Sequence, residues 1–416
     1  MLKKWQTLAF AAFAAIVCAL AIPVAAQADD FDVCGSGSPA TGEPIKLGAI
    51  VSKTGPADFS SAGRASLAFF KCVNDHGGIN GRPVELLIED DFWNPEKAAS
   101  AARKLVLDEH VVAMAGSTSF VECGTNEAFY EQNNIGVITG VGVPRECFFS
   151  RNNAPVNMGP RLSNYGAVKY AYEEWGARNF VCMAPNIPNV GGWFCPAIET
   201  EWGKGKGVKV TSILHDPATM DATSLVLQAL SSKPDVVIVS ETGPGAVAIL
   251  NAAEDQGVRD KTKWVGPTSL YDRAFPKAVG PYWNDHVFVQ IEFNTFDSTG
   301  PDNKSWIAIM DKYGAKSDVR DSFSQAGFVA AKFMSSALRD IKGPITAATV
   351  LEALRHMKPV TSDLICLPWT FGQGARHNAN QEGRMVKVSG GDWAKVRDCF
   401  RTDDPELNDI PNNMGK

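Results

Sequence analysis

Very little in this sequence resembles catalytic machinery. Its 416 residues contain no Gly-x-Ser-x-Gly elbow, no His-Glu-x-x-His and no Gly-x-x-x-x-Gly-Lys loop. The turn after the first apolar strand is Ser52-Lys53-Thr54-Gly55-Pro56, which cannot cradle a dinucleotide pyrophosphate, and Gly140-Val141-Gly142 lacks the third glycine of that fingerprint. The six histidines are scattered, none at ligand spacing from another, and no Cys-x-x-Cys occurs. These gaps speak against a metal site. The formal charge is −6 with no basic run, which speaks against nucleic acid. Past the N-terminus no apolar stretch approaches the roughly 18 residues of a membrane span. The expectation is a protein without catalytic residues, cofactor or metal. Asp90-Asp91 is the nearest approach to an acid pair, and it is assigned to a solvated loop that caps the helix opening at Pro95.

What is present begins with an export signal. Lys3 and Lys4 precede the apolar stretch from Leu8 to Ile22, and Ala26-Gln27-Ala28 gives a small-x-small cleavage pattern. Residues 1–28 are therefore expected to be a cleaved signal peptide and the mature chain periplasmic. Nine cysteines less Cys18 leave an even set: Cys34, Cys72, Cys123, Cys147, Cys182, Cys195, Cys366 and Cys399. In an exported chain an even set indicates disulfides. Many pairings are possible. The most economical joins neighbours, as 34–72, 123–147, 182–195 and 366–399.

Along the chain short apolar strands alternate with helical periodicity. Strands are expected at Ile45–Val51, Val84–Ile88, Val111–Ala115 and Gly136–Ile138, with helices at Ser61–Asn74, after Pro95, and at Glu122–Asn133. After a break near Arg151–Arg161 the rhythm resumes, with strands such as Phe180–Ala184 and Val236–Val239 and helices such as Gly245–Asp255. Such alternation predicts an α/β fold of two doubly wound, Rossmann-like lobes. Ligands of such sheets bind beyond the carboxyl ends of the strands. Gly116-Ser117-Thr118-Ser119 follows the third strand and precedes a helix. Hydroxyls and free N–H groups there suit a carboxylate, and equally an ordinary helix cap.

Several ordered segments carry a family resemblance. Ile45-Lys46-Leu47-Gly48-Ala49 with Thr54-Gly55-Pro56, then Asn74-Asp75-His76-Gly77-Gly78-Ile79-Asn80-Gly81-Arg82, then Glu89-Asp90-Asp91 with Asn94-Pro95, resemble type I periplasmic binding proteins of the branched-chain amino acid class. Ser232-Lys233-Pro234-Asp235 and Val265-Gly266-Pro267 fit the same family's second lobe. The resemblance implies two lobes joined by three crossovers, closing on a small-molecule solute that is handed to the membrane subunits of an ABC importer. It implies a monomer, with residues 45–158 plus 292–362 as one lobe, 159–291 plus 363–402 as the other, and 403–416 as a loose tail. A sensor module for a signalling partner is the alternative. For the site it points to Ser117, Thr118 and Ser119, and, after the fourth strand, to Val141, where the family's threonine-bearing loop is replaced. The family's acid after the Gly-Pro is Thr268 here, so Glu241, followed by Thr242, is the substitute partner for a ligand ammonium. Phe59, Trp93, Tyr271 and Phe323 are candidate walls. With the acid missing, an aromatic or hydrophobic carboxylate is favoured over an amino acid.

Overall fold

A computed structural model describes residues 30–378 and 380–407. The expected signal peptide lies outside the described residues.

The chain forms β1 (Ile45–Val51), α1 (Ser61–Asp75), β2 (Val84–Asp90), α2 (Pro95–Arg103), β3 (Ala113–Ala115), β4 (Thr118–Ser119), α3 (Glu122–Gln132), β5 (Gly136–Thr139), β6 (Val141–Gly142) and β7 (Asn153–Pro155). These strands make one parallel sheet in the order β6-β4-β1-β3-β5-β7, with β2 also paired to β1. Then come α4 (Gly159–Trp175), β8 (Asn179–Pro185), α5 (Gly191–Ala197), β9 (Lys209–His215), α6 (Ala222–Ser231), β10 (Val236–Val239), α7 (Gly243–Asp255), β11 (Lys263–Gly266), α8 (Phe275–Val279) and β12 (Val287–Ile291). The chain next returns to the first sheet as α9 (Pro301–Tyr313), α10 (Ser322–Asp340) and α11 (Ala347–Arg355), with α9 and α10 packed along α1. It ends in the second sheet as the hairpin β13 (Glu382–Ser389) and β14 (Asp392–Arg401). The second sheet runs β14-β13-β12-β11-β10-β8-β9. The fold is therefore the expected pair of doubly wound α/β layers, crossed between after β7, after β12 and after α11.

Two features depart from the expected pattern. Thr118–Ser119 is a short strand between β1 and β6 rather than a helix start. The β13–β14 hairpin is antiparallel and turns through Gly390 and Gly391, both at positive φ (60° and 78°), where glycine carries no Cβ penalty.

Local chemistry sets the helix starts. Asn94 caps α2 through Lys97 N–H (3.0 Å), with Pro95 at the first helical position. The acid pair before it does something else. Asp91 is fully buried, not solvated, and it accepts from Ser52 Oγ (3.2 Å), Trp93 N–H (2.9 Å) and Ser119 Oγ.

The disulfides join Cys34–Cys72, Cys123–Cys147, Cys182–Cys195 and Cys366–Cys399. The tail is docked where it is described, not loose. Asp404 is buried and ion-paired with buried Arg161 (2.7 Å), Glu406 takes Arg145 (2.8 Å) and Trp193 Nε1 (2.8 Å), and Leu407 is fully buried. Residues 408–416 lie outside the described residues. Among the described residues no helix is long and apolar enough to cross a membrane.

Candidate functional site

Between the carboxyl ends of the two sheets lies a chamber. The first sheet and the helices packed on it contribute Phe59, Phe120, Val141, Val143 and Phe323. The crossover into α4 adds Asn157, Gly159 and Pro160. The second sheet faces them with Val190, Phe194, Glu241, Thr242, Thr268 and Ser269, with Pro185, Ser240 and Pro267 between. Gly159 has φ +79°, and a Cβ there would lie 2.2 Å from the Phe148 ring, so the backbone can turn into the chamber only as glycine.

The aromatic side is one packed cluster. Phe59 meets Phe120 at 4.9 Å, Phe323 at 5.2 Å and Trp93 at 5.6 Å between ring centres, and Trp93 stacks on Phe120 at 4.1 Å. Asp91 fixes the pair from within: it holds Trp93 N–H directly, and it engages Ser52, whose hydroxyl accepts Phe120 N–H (3.2 Å).

The polar groups on the wall are mostly committed already. Asn157 Oδ1 accepts Gly142 N–H (2.8 Å) and its Nδ2 donates to Gly142 O (3.1 Å). Asn164 Nδ2 donates to Ser240 Oγ (2.9 Å). Thr268 Oγ1 shares a hydrogen bond with Ser322 (3.0 Å), Ser269 Oγ donates to Glu241 O (2.6 Å), and Thr242 caps α7. Among the described residues the single ionisable side chain on the chamber wall is Glu241. It lies 2.6 Å from His215 Nε2. Burial raises the Glu241 carboxyl above its ordinary range, against the opposing hydrogen bond from His215. Burial alone would lower His215, but the bond and charge of Glu241 outweigh it and the imidazole is raised.

Two recesses adjoin the chamber and share wall residues with it. One is lined by Trp93, Phe120, His215, Met220 and Glu241, the other by Asp58, Phe59, Tyr271, Asp272, Asp321 and Phe323. Of the residues expected from sequence, Phe59, Val141, Glu241, Thr242, Thr268 and Phe323 stand on the chamber wall. Trp93 and Tyr271 line the recesses instead, and Tyr271 stacks on Phe296 at 4.1 Å.

Ser117, Thr118 and Ser119 are not on the wall. All three are buried in the first lobe. Ser117 Oγ accepts Ile50 N–H (3.1 Å) and donates to Glu122 (3.3 Å). Ser119 Oγ donates to Asp91 and accepts the N–H groups of Val121 (3.0 Å) and Glu122 (2.8 Å) where the chain enters α3, whose N-cap position is Val121. Phe120, Phe194 and His215 had no sequence argument behind them. The one signal for His215 was its place at the carboxyl end of a strand, beside the Glu241 strand end.

A model of periplasmic binding proteins matches residues 44–392. The chain belongs to the periplasmic binding protein family. Solved binding proteins share its fold. A fatty acid ABC transporter substrate-binding protein from Thermomonospora curvata is 18% identical, with TM-score 0.74 over 88% of this chain and 95% of its own. An ABC transporter solute-binding protein from R. palustris, solved with 4-hydroxybenzoate, is 18% identical, with TM-score 0.73 over 88% and 100%. A possible leucine/isoleucine/valine-binding protein from Rhodopirellula baltica is 15% identical, with TM-score 0.75 over 87% and 98%. A comparison with curated protein sequences gives no significant match.

Proposed function

We propose that this binding protein captures a small, largely apolar organic acid between its lobes, outside the cytoplasm, and presents it to the membrane subunits of an ABC importer. The observation that carries the reading is the chamber itself. It sits where two doubly wound sheets face each other, its wall is mostly aromatic and aliphatic, and its polar side chains are largely spent on the protein. Burying apolar solute surface against such a wall gives about 25 cal/mol per Å². An amino acid fits less well. Its ammonium needs a free counter-charge, and Glu241 is already engaged by His215. Four disulfides suit an oxidising compartment.

Thermal shift and calorimetry with benzoate, 4-hydroxybenzoate, octanoate and leucine test the reading. The aromatic and aliphatic acids should raise the melting temperature in a saturable way. Saturable binding of leucine alone would overturn it.

A further inference from the structure

Apolar walls set what body a solute has, and the charge at the wall sets what end it has. A solute carboxylate brought into this chamber meets Glu241, an acid, and among the described residues no cationic side chain lines the chamber. The nearest cation-capable group is His215, which stands behind Glu241 and faces the adjoining recess, so the pair is shared between the two spaces. The hydroxyls of Ser117 and Ser119 offer no substitute, because they are turned inward onto Asp91, Glu122 and backbone N–H groups.

We infer that the Glu241–His215 pair is the subsite for the solute's carboxylate, and that it binds that carboxylate together with a proton taken from water. This rests on the reading of the chamber as the solute site. The charge balance is simple. An ionised Glu241 beside an imidazolium is neutral as a pair and repels an incoming anion at the carboxylate face. Protonation of Glu241 leaves a carboxylic acid backed by the imidazolium of His215, a net single positive charge. The acid O–H then donates to the solute carboxylate in a charge-assisted hydrogen bond. The proton comes from solvent and leaves with solute release. An ammonium would demand the reverse, loss of the His215 proton. Burial raises the Glu241 carboxyl, which favours proton uptake there; the upward shift of His215 comes from an ionised Glu241, and in the bound state the solute carboxylate supplies that charge instead.

Few other charges act on the pair. Asp216 adjoins His215 in the chain, and Asp272 lies near the start of α7 at Gly243. Asp58 and Asp321 line the far recess, while Asp91 and Glu122 are absent from the chamber wall. Of these only Asp216 acts on the pair, and it raises His215.

The test is calorimetry of the full chain with benzoate and octanoate, beside benzamide and octanamide, in two buffers of different ionisation enthalpy from acid to alkaline pH. The expected result is uptake of close to one proton per carboxylate bound, with affinity falling roughly tenfold per pH unit on the alkaline side. The amides should bind without proton exchange. Glu241→Gln supplies an N–H donor with no proton to gain, so it should bind the carboxylates with the pH dependence flattened. A purely structural Glu241 would leave the proton count unchanged. Carboxylate binding with no proton uptake in the unaltered protein would overturn the inference and leave the chamber reading intact. Binding of the amides alone would do the same. No binding of any of the four probes would overturn both.

Discussion

The two sides of the cleft use acidic residues in opposite ways. On the first lobe Asp91 and Glu122 are buried away from the chamber and serve as scaffolding. Asp91 gathers Ser52, Ser119 and Trp93 N–H, and Glu122 gathers Tyr130 (2.7 Å) and Ser117. Burial pushes Glu122 up to about 8 and raises Asp91. On the second lobe a single acid, Glu241, reaches the chamber wall and is balanced by a histidine. The aromatic wall of the first lobe is thus set by hidden polar groups, while the second lobe carries the ionisable group a solute can meet. An acid near a strand end in this architecture is not a ligand residue by position alone. What decides is whether its oxygens are already spoken for.

The sharpest break in that comparison is Asp91→Ala. It strands two buried hydroxyls, each costing about 1–3 kcal/mol when unpaired, and a part-buried N–H. A loss of about 3 kcal/mol or more in denaturant unfolding is expected, with solute binding weakened because Trp93 and Phe120 lose their seat.

Phe323→Ala should act on the chamber more than on the scaffold. Removing a phenyl group from the wall forfeits about 1.5–3 kcal/mol of apolar burial with a bound solute, or roughly ten- to a hundredfold in affinity for the best acid of the panel, read by calorimetry.

Glu122→Gln sharpens the contrast through pH. The folded-state value of Glu122 lies above its ordinary 4.5, at about 8. The native state therefore holds a proton that the unfolded chain releases, and stability falls as pH rises between those values. The glutamine variant should lack this slope and gain stability relative to the parent on the alkaline side, in urea titrations at stepped pH. An identical slope in both proteins would remove Glu122 from the scaffold role.

Ser119→Ala should do least. Loss of a helix-start acceptor costs about 1 kcal/mol of stability, and affinity for the acids should stay within about twofold. A large affinity loss without destabilisation would return Ser119 to the ligand side.

Much of the fold was legible in the sequence because buried parallel strands and amphipathic helices alternate with clear periods. The β13–β14 hairpin was missed: charged residues such as Lys387, Lys395 and Arg397 interrupt its apolar pattern, and β14 is mostly exposed or half-buried while β13 is largely buried. At the site, Phe59, Phe323 and Glu241 were legible from their positions at loop and strand ends. The serine cluster stands off the chamber wall, which the sequence could not show because a hydroxyl at a strand end looks the same whether it faces a cleft or a buried acid. Only the depth of Asp91, which its neighbour Asp90 disguised as a loop residue, separates the two. Phe194 was hidden inside a helix whose Trp193-Phe194 pair gives no sign of which ring faces the other lobe. The docked segment at Asp404–Leu407 was hidden because its polar sequence gives no hint that Arg161 is buried and waiting for a carboxylate.

The most direct test of the account is a crystal structure of the protein grown with the tightest acid of the panel. The account predicts the solute body between Phe59, Phe194 and Phe323, with its carboxylate within hydrogen-bonding distance of Glu241. A solute carboxylate held by Ser117–Ser119, or a solute bound outside the chamber between the two sheets, would contradict it.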